Sequence, residues 1–378
     1  MLTQNDFINI EKQASAIYEN LELEIIEAIA TRIAKVGYAN TVVLNNVQIA
    51  QEMGALYQDI IILVAQYNNS TYEEVAKIFE EAGAKTLSRD DFIYKEAGLN
   101  PVPIKQSRSI MQTMSATIEK TAGNLQNLVI TTATNSQTAF YNAINLAYME
   151  VSTGVKSYSQ SIIDAINKVA NTGGVITYPS GRNMSLESAV RMNIITGVNQ
   201  TCGKLQELRA DEMGWDLMEI TAHSGARPEH AHWQGKIVSR SGQKGYLSLR
   251  DIGYGEATGF KGINCRHDWY PYYKGSARTY TQKELNKWKN EKVEYNGKKI
   301  SKYEAIQKQR YFERKIRQNK KDLKAQQAIL TSNNKDINIE EVQAEIRNIK
   351  ATQRQHNAQL NDFLEQTGLR KDYSRLVI

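Results

Sequence analysis

The sequence has few cysteines, few prolines and no long apolar run, and each shortage excludes a class of protein. Two cysteines, Cys202 and Cys265, cannot build the disulfide framework of a small secreted domain, so we expect a reducing compartment. Only 5 prolines in 378 residues, beside 20 tyrosines, argue against a disordered chain. The most apolar stretch, residues 60–65, is far shorter than the roughly 20 residues that span a bilayer, and no secretory signal is recognisable. We therefore expect a folded protein without a membrane segment.

Positive charge is concentrated in the last quarter of the sequence. The net charge is +6, and residues 282–378 hold 22 Lys and Arg against 13 Asp and Glu, so the remainder is slightly acidic. A basic block on a nearly neutral protein indicates a polyanion or an acidic protein surface as neighbour, although a solvated helix face gives the same pattern. The candidate contact residues are Lys298, Lys299, Lys302, Arg310, Arg314, Lys315, Arg317, Lys320 and Lys321.

Apolar periodicity predicts a mostly α-helical protein with a small α+β domain and an elongated shape. Residues 1–103 are predicted to form short helices with short loops, one of them opened by a capping box at Thr71 and Glu74 and ended by Gly83, with a further helix start at residues 88–91. Residues 104–172 form a second region of helices, which are rich in Ser, Thr and Ala. Their thin apolar seam predicts packing on a partner or a bridge between two bodies.

Residues 173–280 are predicted to form the α+β domain. Strand character appears at residues 175–178, 215–221 and 236–239, a turn at 179–181, and a long helix at 185–210 that Ser185 caps. A long glycine-rich loop follows. Residues 281–378 are predicted to form a basic helical hairpin, capped at Asn338 and separate from the α+β domain like an arm.

Four of the five histidines lie in two segments of the α+β domain, residues 221–236 and 262–271. One hypothesis is a metal site at His230, His232, Cys265 and His267, but the spacing within each pair is narrower than in common structural zinc sites. A second is a His-Asn-His nuclease, but Asn264 and His267 lie only three residues apart. The third, which we favour, is a structural role in which these polar groups and Arg227 satisfy one another under the cover of Trp233 and Trp269.

The amino-acid sequence of these segments resembles that of the phage minor capsid protein 2 family, within the wider group of Mu F-like head morphogenesis proteins of tailed phages. The resemblance extends into the basic segment at 303–320. It lies mainly in residues 176–182, 186–198, 222–230, 233–236 and 262–267. An Arg-Pro-x-His segment followed after a loop by Asn-Cys-Arg-His is the central pair of motifs. The motif residues are His223, Arg227, Pro228, His230, Trp233, Gly235, Asn264, Cys265, Arg266 and His267.

The resemblance implies a virion protein in the phage head, at the portal vertex, that is made in the cytoplasm of a bacterial host. It implies a structural role in head assembly, with a role in DNA packaging or delivery, and not an enzyme. The implied partners are the portal protein, the major capsid or scaffold protein, and packaged double-stranded DNA; no cofactor is expected. The alternatives are a metal-dependent hydrolase or nuclease that uses the His/Cys cluster, and an assembly factor that is absent from the finished particle.

Overall fold

The computed structural model describes residues 1–18, 20–37, 42–173, 175–178 and 181–377. The chain is mostly α-helical with a small α+β part, as the sequence predicts. The helices are α1 Gln4–Ile17, α2 Leu21–Lys35, α3 Val42–Glu96, α4 Arg108–Ser152, α5 Tyr158–Thr172, α6 Leu186–Glu212, α7 Gln282–Lys289, α8 Lys302–Thr331 and α9 Ile339–Thr367. None of the helices in the described ranges has the length and apolar character that crossing a bilayer requires.

The predicted helix from Thr71 to Gly83 and the predicted helix start at residues 88–91 are wrong, because α3 runs unbroken through all of these positions. Thr71 does not cap a new helix: its hydroxyl donates to the Tyr67 carbonyl, 2.8 Å away. Gly83 does not end one either. A Cβ there would lie 2.4 Å from the Met114 Cε, so the glycine lets α4 approach closely. Extending a helix adds one hydrogen bond per residue, whereas starting a new one is costly.

One buried core joins helices from all parts of the chain. Ile25 and Ile29 of α2, Leu125 of α4 and Ile194 of α6 share it with Ile329 of α8. The expectation that the basic hairpin stands apart as an arm is therefore wrong. The apolar side of α8 is covered by α2 and α5, because an amphipathic helix gains stability by burying its apolar stripe. The domain boundaries proposed at residues 103, 172 and 280 remain predictions.

The strands are β1 Val175–Thr177, β2 Asn183–Ser185, β3 Leu217–Ile220, β4 Ile237–Ser239, β5 Leu247–Ser248, β6 Trp269–Pro271, β7 Lys292–Tyr295 and β8 Lys298–Ser301. Strands β1, β3 and β4 confirm the three predicted strands, whereas the predicted turn at 179–181 falls largely outside the described residues. In the main sheet β3 is central, antiparallel to β4 and β6, and β5 joins β4 in parallel. Helix α6 begins where predicted, since the Ser185 hydroxyl accepts from the Ser188 N–H at 3.3 Å.

The hairpin of β7 and β8 was not predicted, since residues 281–378 were expected to be helical. Its turn is Asn296-Gly297, and both residues have positive φ, 51° and 71°. An Asn-Gly pair with two positive φ angles is typical of a type I′ hairpin turn, so the sequence did contain the signal. Helices α8 and α9 pair as expected, and the Asn338 side chain caps α9 by accepting from the Glu340 N–H at 3.0 Å.

Candidate functional site

Three residues of the two motifs meet in the interior of the α+β part. His230 ends a short 3-10 turn after β3, while Cys265 and His267 lie in the segment that leads into β6. Because β3 pairs with β6, with Ile220 opposite Trp269, the two motif segments are held side by side. One potential ligand atom from each of the three residues lies within 4.8 Å of the others, and all three side chains are buried. The structure thus gathers a His-Cys-His group that linear spacing had disfavoured.

Hydrogen bonds to backbone and amide oxygens orient the imidazoles. The His230 Nε2 lies 2.9 Å from the Thr258 carbonyl oxygen, and the His267 Nε2 lies 3.2 Å from the Gln234 Oε1. The same Gln234 oxygen accepts from the His223 backbone N–H at 3.2 Å. The Cys265 Sγ lies 3.7 Å from the His267 Nδ1.

Burial keeps the cluster uncharged at neutral pH. It lowers the pKa of His223 to about 4 and the pKa of His267 well below the ordinary value, where the neighbouring histidines add to the effect. Burial also lowers the pKa of His230 and raises the pKa of the Cys265 thiol. Neutral imidazoles and a protonated thiol can pack against each other without a charge penalty. The cluster is therefore a neutral polar network in this state.

Aromatic rings enclose the cluster. The Trp233 ring centroid lies 4.4 Å from that of His230 and 4.8 Å from that of His267, and Phe260 meets Trp233 edge-on. The His223 ring stacks on His267 at 4.4 Å. These contacts shield the polar atoms from water on one side and fix the ring positions.

His232 is the one residue of the proposed metal group that lies elsewhere. Its side chain is exposed, and its Nε2 is 3.3 Å from the Asp251 carbonyl oxygen on the surface loop. His232 points away from the interior although it is only two positions from His230, and the spacing in the sequence does not reveal this difference. His223 takes the neighbouring place in the interior instead.

The other motif residues brace the segments around the cluster. Arg227 donates from Nη2 to the Ile263 carbonyl at 2.7 Å, and the Asn264 N–H donates to the Thr196 hydroxyl at 3.1 Å. Gly235 has a φ of 66°, and a Cβ there would lie 2.7 Å from the Leu285 Cδ2 of α7. Pro228 opens the 3-10 turn. Arg227 and Asn264 thus connect the motif segments to each other and to α6 through hydrogen bonds.

A buried ion pair beside the cluster was missed in the sequence. The Lys261 Nζ lies 2.6 Å from the Asp268 Oδ1 and 2.9 Å from the Asn199 Oδ1 of α6, and the Asp268 Oδ2 accepts from the Leu2 backbone N–H at 2.5 Å. Lys261 and Asp268 are 2% and 0% exposed. No sequence signal marked this pair, because a lysine in a glycine-rich loop is normally solvated.

A second missed feature is Glu11, a nearly fully buried residue of α1. Its carboxylate accepts from Arg191 of α6, from Arg266 of the motif segment and from Arg375 near the end of the chain. Burial alone would raise its pKa, but Arg266, Arg375 and Arg191 outweigh that effect and lower the pKa to about 2. Glu11 therefore ties three distant segments together through charge-assisted hydrogen bonds.

A cavity of about 500 Å³ adjoins the cluster, between the motif segments and α8. Its lining includes the buried His/Cys group and four arginines, Arg182, Arg227, Arg266 and Arg310. The Arg310 Nε is buried without a hydrogen-bond partner in the described part of the chain. Burial, together with repulsion from Arg375 and Arg266, lowers the pKa of Arg310 to about 9. The cavity lining therefore holds four arginines against one carboxylate, that of Glu229.

The nine proposed contact residues divide into exposed and internally bonded groups. Lys298, Lys299, Arg314 and Lys315 are exposed. Of the others, Arg310 lines the cavity, Lys302 pairs with Glu291, Arg317 with Glu187 and Lys321 with Glu22, and Lys320 donates to the Leu376 carbonyl. The first four are the exposed members of the set, so they are the strongest candidates for contact with an external partner.

The proteins that the chain is similar to are structural proteins of phages. A family model described as phage minor capsid protein 2 matches residues 2–365. A protein described as a structural protein of Lactococcus phage LL-H is 28% identical over 298 residues, which cover 75% of this chain and 77% of that protein. No solved structure matches the chain.

Proposed function

The chain belongs to the phage minor capsid protein 2 family, and from that premise we propose that it is a structural protein of the phage head that binds at the portal vertex. The family match, which covers residues 2–365, carries this proposal. The similarity to a phage structural protein supports the same role. The proposed partners are the portal protein and either the major capsid protein or the scaffold protein.

The internal organisation of the motif region supports a structural role over a catalytic one. The His/Cys group is uncharged, and its polar atoms are used in contacts with Thr258, Gln234 and one another. Arg266 joins the same region to α1 through Glu11. Side chains that are hydrogen-bonded in this way hold segments of the chain in position. We therefore assign the binding of partner molecules to the protein surfaces around them.

We assign contact with DNA phosphates, or with an acidic portal surface, to the exposed cations of the β7–β8 hairpin and α8. Lys298 and Lys299 lie at the hairpin, and Arg314 and Lys315 lie on the solvent side of α8. The Lys315 Nζ sits 5.7 Å from the ring centroid of the exposed Tyr311. Cations interspersed with an aromatic ring form a surface that attracts a polyanion.

Mass spectrometry of purified virions tests the structural assignment. We expect peptides from this chain in the mature particle, at far fewer copies than the major capsid protein. If the chain is abundant in proheads and absent from finished virions, it acts as an assembly factor instead. Virions purified in parallel from a phage lacking the gene provide the control for host contamination.

A salt titration of DNA binding tests the assigned surface. If the four exposed cations contact phosphates, the logarithm of the affinity falls with the logarithm of salt with a slope of about −3 to −4. Reversing Lys298, Lys299, Arg314 and Lys315 to glutamate is expected to weaken binding at least about tenfold and to flatten the slope.

The matched control reverses three lysines and one arginine that are exposed on or beside α3 and α4: Lys77, Lys105, Lys120 and Arg108. This variant carries the same net charge as the test variant. Equal loss of DNA affinity in both would mean that the binding is a net-charge effect and not a property of the assigned surface.

The rival function is a metal-dependent hydrolase or nuclease, and the cavity beside the cluster is the observation in its favour. Incubating the purified chain with DNA and divalent cations distinguishes the two. We expect no cleavage above that of a His267→Gln variant prepared identically. Metal-dependent cleavage that this variant loses would replace the structural proposal with the enzymatic one.

A further inference from the structure

We propose that His230, Cys265 and His267 bind one zinc ion, with the fourth coordination position directed to the adjoining cavity. Imidazole nitrogen and thiolate sulfur are the ligands that zinc prefers, and three protein ligands with one open position form a known type of zinc site. The proposal does not depend on the virion role, because it concerns only the interior of the motif region.

The hydrogen bonds determine which ring nitrogens are free to bind a metal. A carbonyl oxygen only accepts, so the His230 Nε2 that faces the Thr258 oxygen carries the proton, and the lone pair is on Nδ1. The Gln234 Oε1 is identified as the acceptor atom by the His223 N–H that it also binds. The His267 Nε2 therefore donates to it, and the His267 Nδ1 lone pair remains, facing the Cys265 sulfur.

This arrangement is the one found around metal-binding histidines. Such a histidine usually donates its other N–H to a carbonyl or carboxylate oxygen, which fixes the ring orientation and increases the basicity of the ligating nitrogen. Thr258 and Gln234 provide that support for His230 and His267. In addition, the His267 Nδ1 lone pair already faces the Cys265 sulfur at 3.7 Å.

The distances are compatible with tetrahedral coordination after a small contraction. With zinc–nitrogen bonds of about 2.0 Å and zinc–sulfur bonds of about 2.3 Å, neighbouring ligand atoms of a tetrahedral site lie roughly 3.5 Å apart. The Cys265 Sγ and the His267 Nδ1 are already 3.7 Å apart. The three ligand atoms lie within 4.8 Å of one another, so closing onto the metal requires movements of about 1 Å.

The surroundings also provide access and the necessary proton release. His230, Cys265 and His267 all contribute to the lining of the 500 Å³ cavity, so an ion and its water have a route to the group. Binding forms one zinc–sulfur bond and two zinc–nitrogen bonds, and the thiol proton leaves to solvent. Water from the cavity fills the fourth position.

Elemental analysis of the full chain, after equilibration with zinc and removal of excess ion by gel filtration, tests the proposal. We expect about one zinc ion per chain. Replacement by Co²⁺ is expected to give the near-ultraviolet absorption band of a thiolate–cobalt bond. Cys265→Ser is expected to abolish that band, and Cys265→Ser and His267→Gln are each expected to weaken zinc affinity at least tenfold.

Two neighbouring variants are the matched controls. Cys202→Ser removes the only other thiol in the sequence, and His232→Gln removes an exposed imidazole two residues from His230. Both are expected to keep the zinc stoichiometry and the cobalt band. Circular dichroism of every variant shows whether a loss of metal reflects a loss of fold.

A wild-type chain that is folded and retains less than about a tenth of a zinc ion per chain would overturn the site, and so would a folded Cys265→Ser variant with wild-type affinity and an unchanged cobalt band. The wild-type measurement decides the matter even if the variants fail to fold. A metal-free chain that is present in virions would leave the proposed function intact.

Discussion

Glu11→Gln is expected to lower the free energy of unfolding by about 3 kcal/mol at neutral pH, because removing one partner of a buried charge network leaves the others uncompensated. Glu11 is 1% exposed and accepts from Arg191, Arg266 and Arg375. The amide keeps the volume of the carboxylate but not its charge. Urea unfolding of both proteins measures the difference.

The same pair of proteins gives a pH test with a defined sign. The folded-state pKa of Glu11 is lowered from 4.5 to about 2, so its contribution is complete above about pH 4.5 and is lost as the pH falls toward 2. The stability difference between the wild type and Glu11→Gln should therefore shrink over that window, since glutamine does not titrate. The exposed Glu73→Gln change on α3 is the control and should have little effect at any pH. A difference that stays constant down to pH 2 would mean that Glu11 contributes packing and not charge.

Lys261→Met is expected to cost about 3–5 kcal/mol, because it leaves the Asp268 carboxylate buried without its cation. Methionine has a similar length and, like lysine, is a non-glycine residue at the φ of 61° found here, so the backbone strain is unchanged. Thermal and urea unfolding measure the effect. Lys244→Met on the exposed loop is the matched control and should change stability by less than about 0.5 kcal/mol.

A double-mutant cycle separates charge from packing at this pair. Asp268→Asn alone leaves the Lys261 ammonium without its carboxylate, whereas the double variant removes both charges. The double variant should therefore be less destabilised than the sum of the two single variants, by at least about 1 kcal/mol. Simple additivity would show that the ion pair has no net coupling in this interior.

Local signals in the sequence predicted the features that depend on local chemistry. The Ser185 cap of α6 and the strands β3 and β4 follow from hydrogen bonding and residue preference within a few positions. The 55-residue length of α3 did not, because Thr71 and Gly83 look like helix boundaries until the packing of Tyr18 and Met114 against them is known. Tertiary contacts decided the outcome there.

The site shows the same division. The motif histidines and Cys265 were recognised as a group from the sequence. Which of them meet is decided by the pairing of β3 with β6, which brings together His230 and a second motif that begins 34 residues later at Asn264. Glu11 was missed because its partners Arg191, Arg266 and Arg375 lie 180, 255 and 364 residues away. Asp268 is only 7 residues from Lys261, but the contacts that bury this pair come from Leu2 and Asn199, 266 and 62 residues away. Burial of such charges depends on the complete fold, which no local pattern reports.

The most direct test of the structural role is an asymmetric reconstruction of the portal vertex in virions of the phage that encodes this chain. We predict density that fits the mainly helical chain in contact with the portal protein, with the β7–β8 hairpin and the exposed side of α8 facing DNA or an acidic portal surface. A portal vertex without density for this chain would contradict the assignment, whether or not mass spectrometry detects the chain in the same virions.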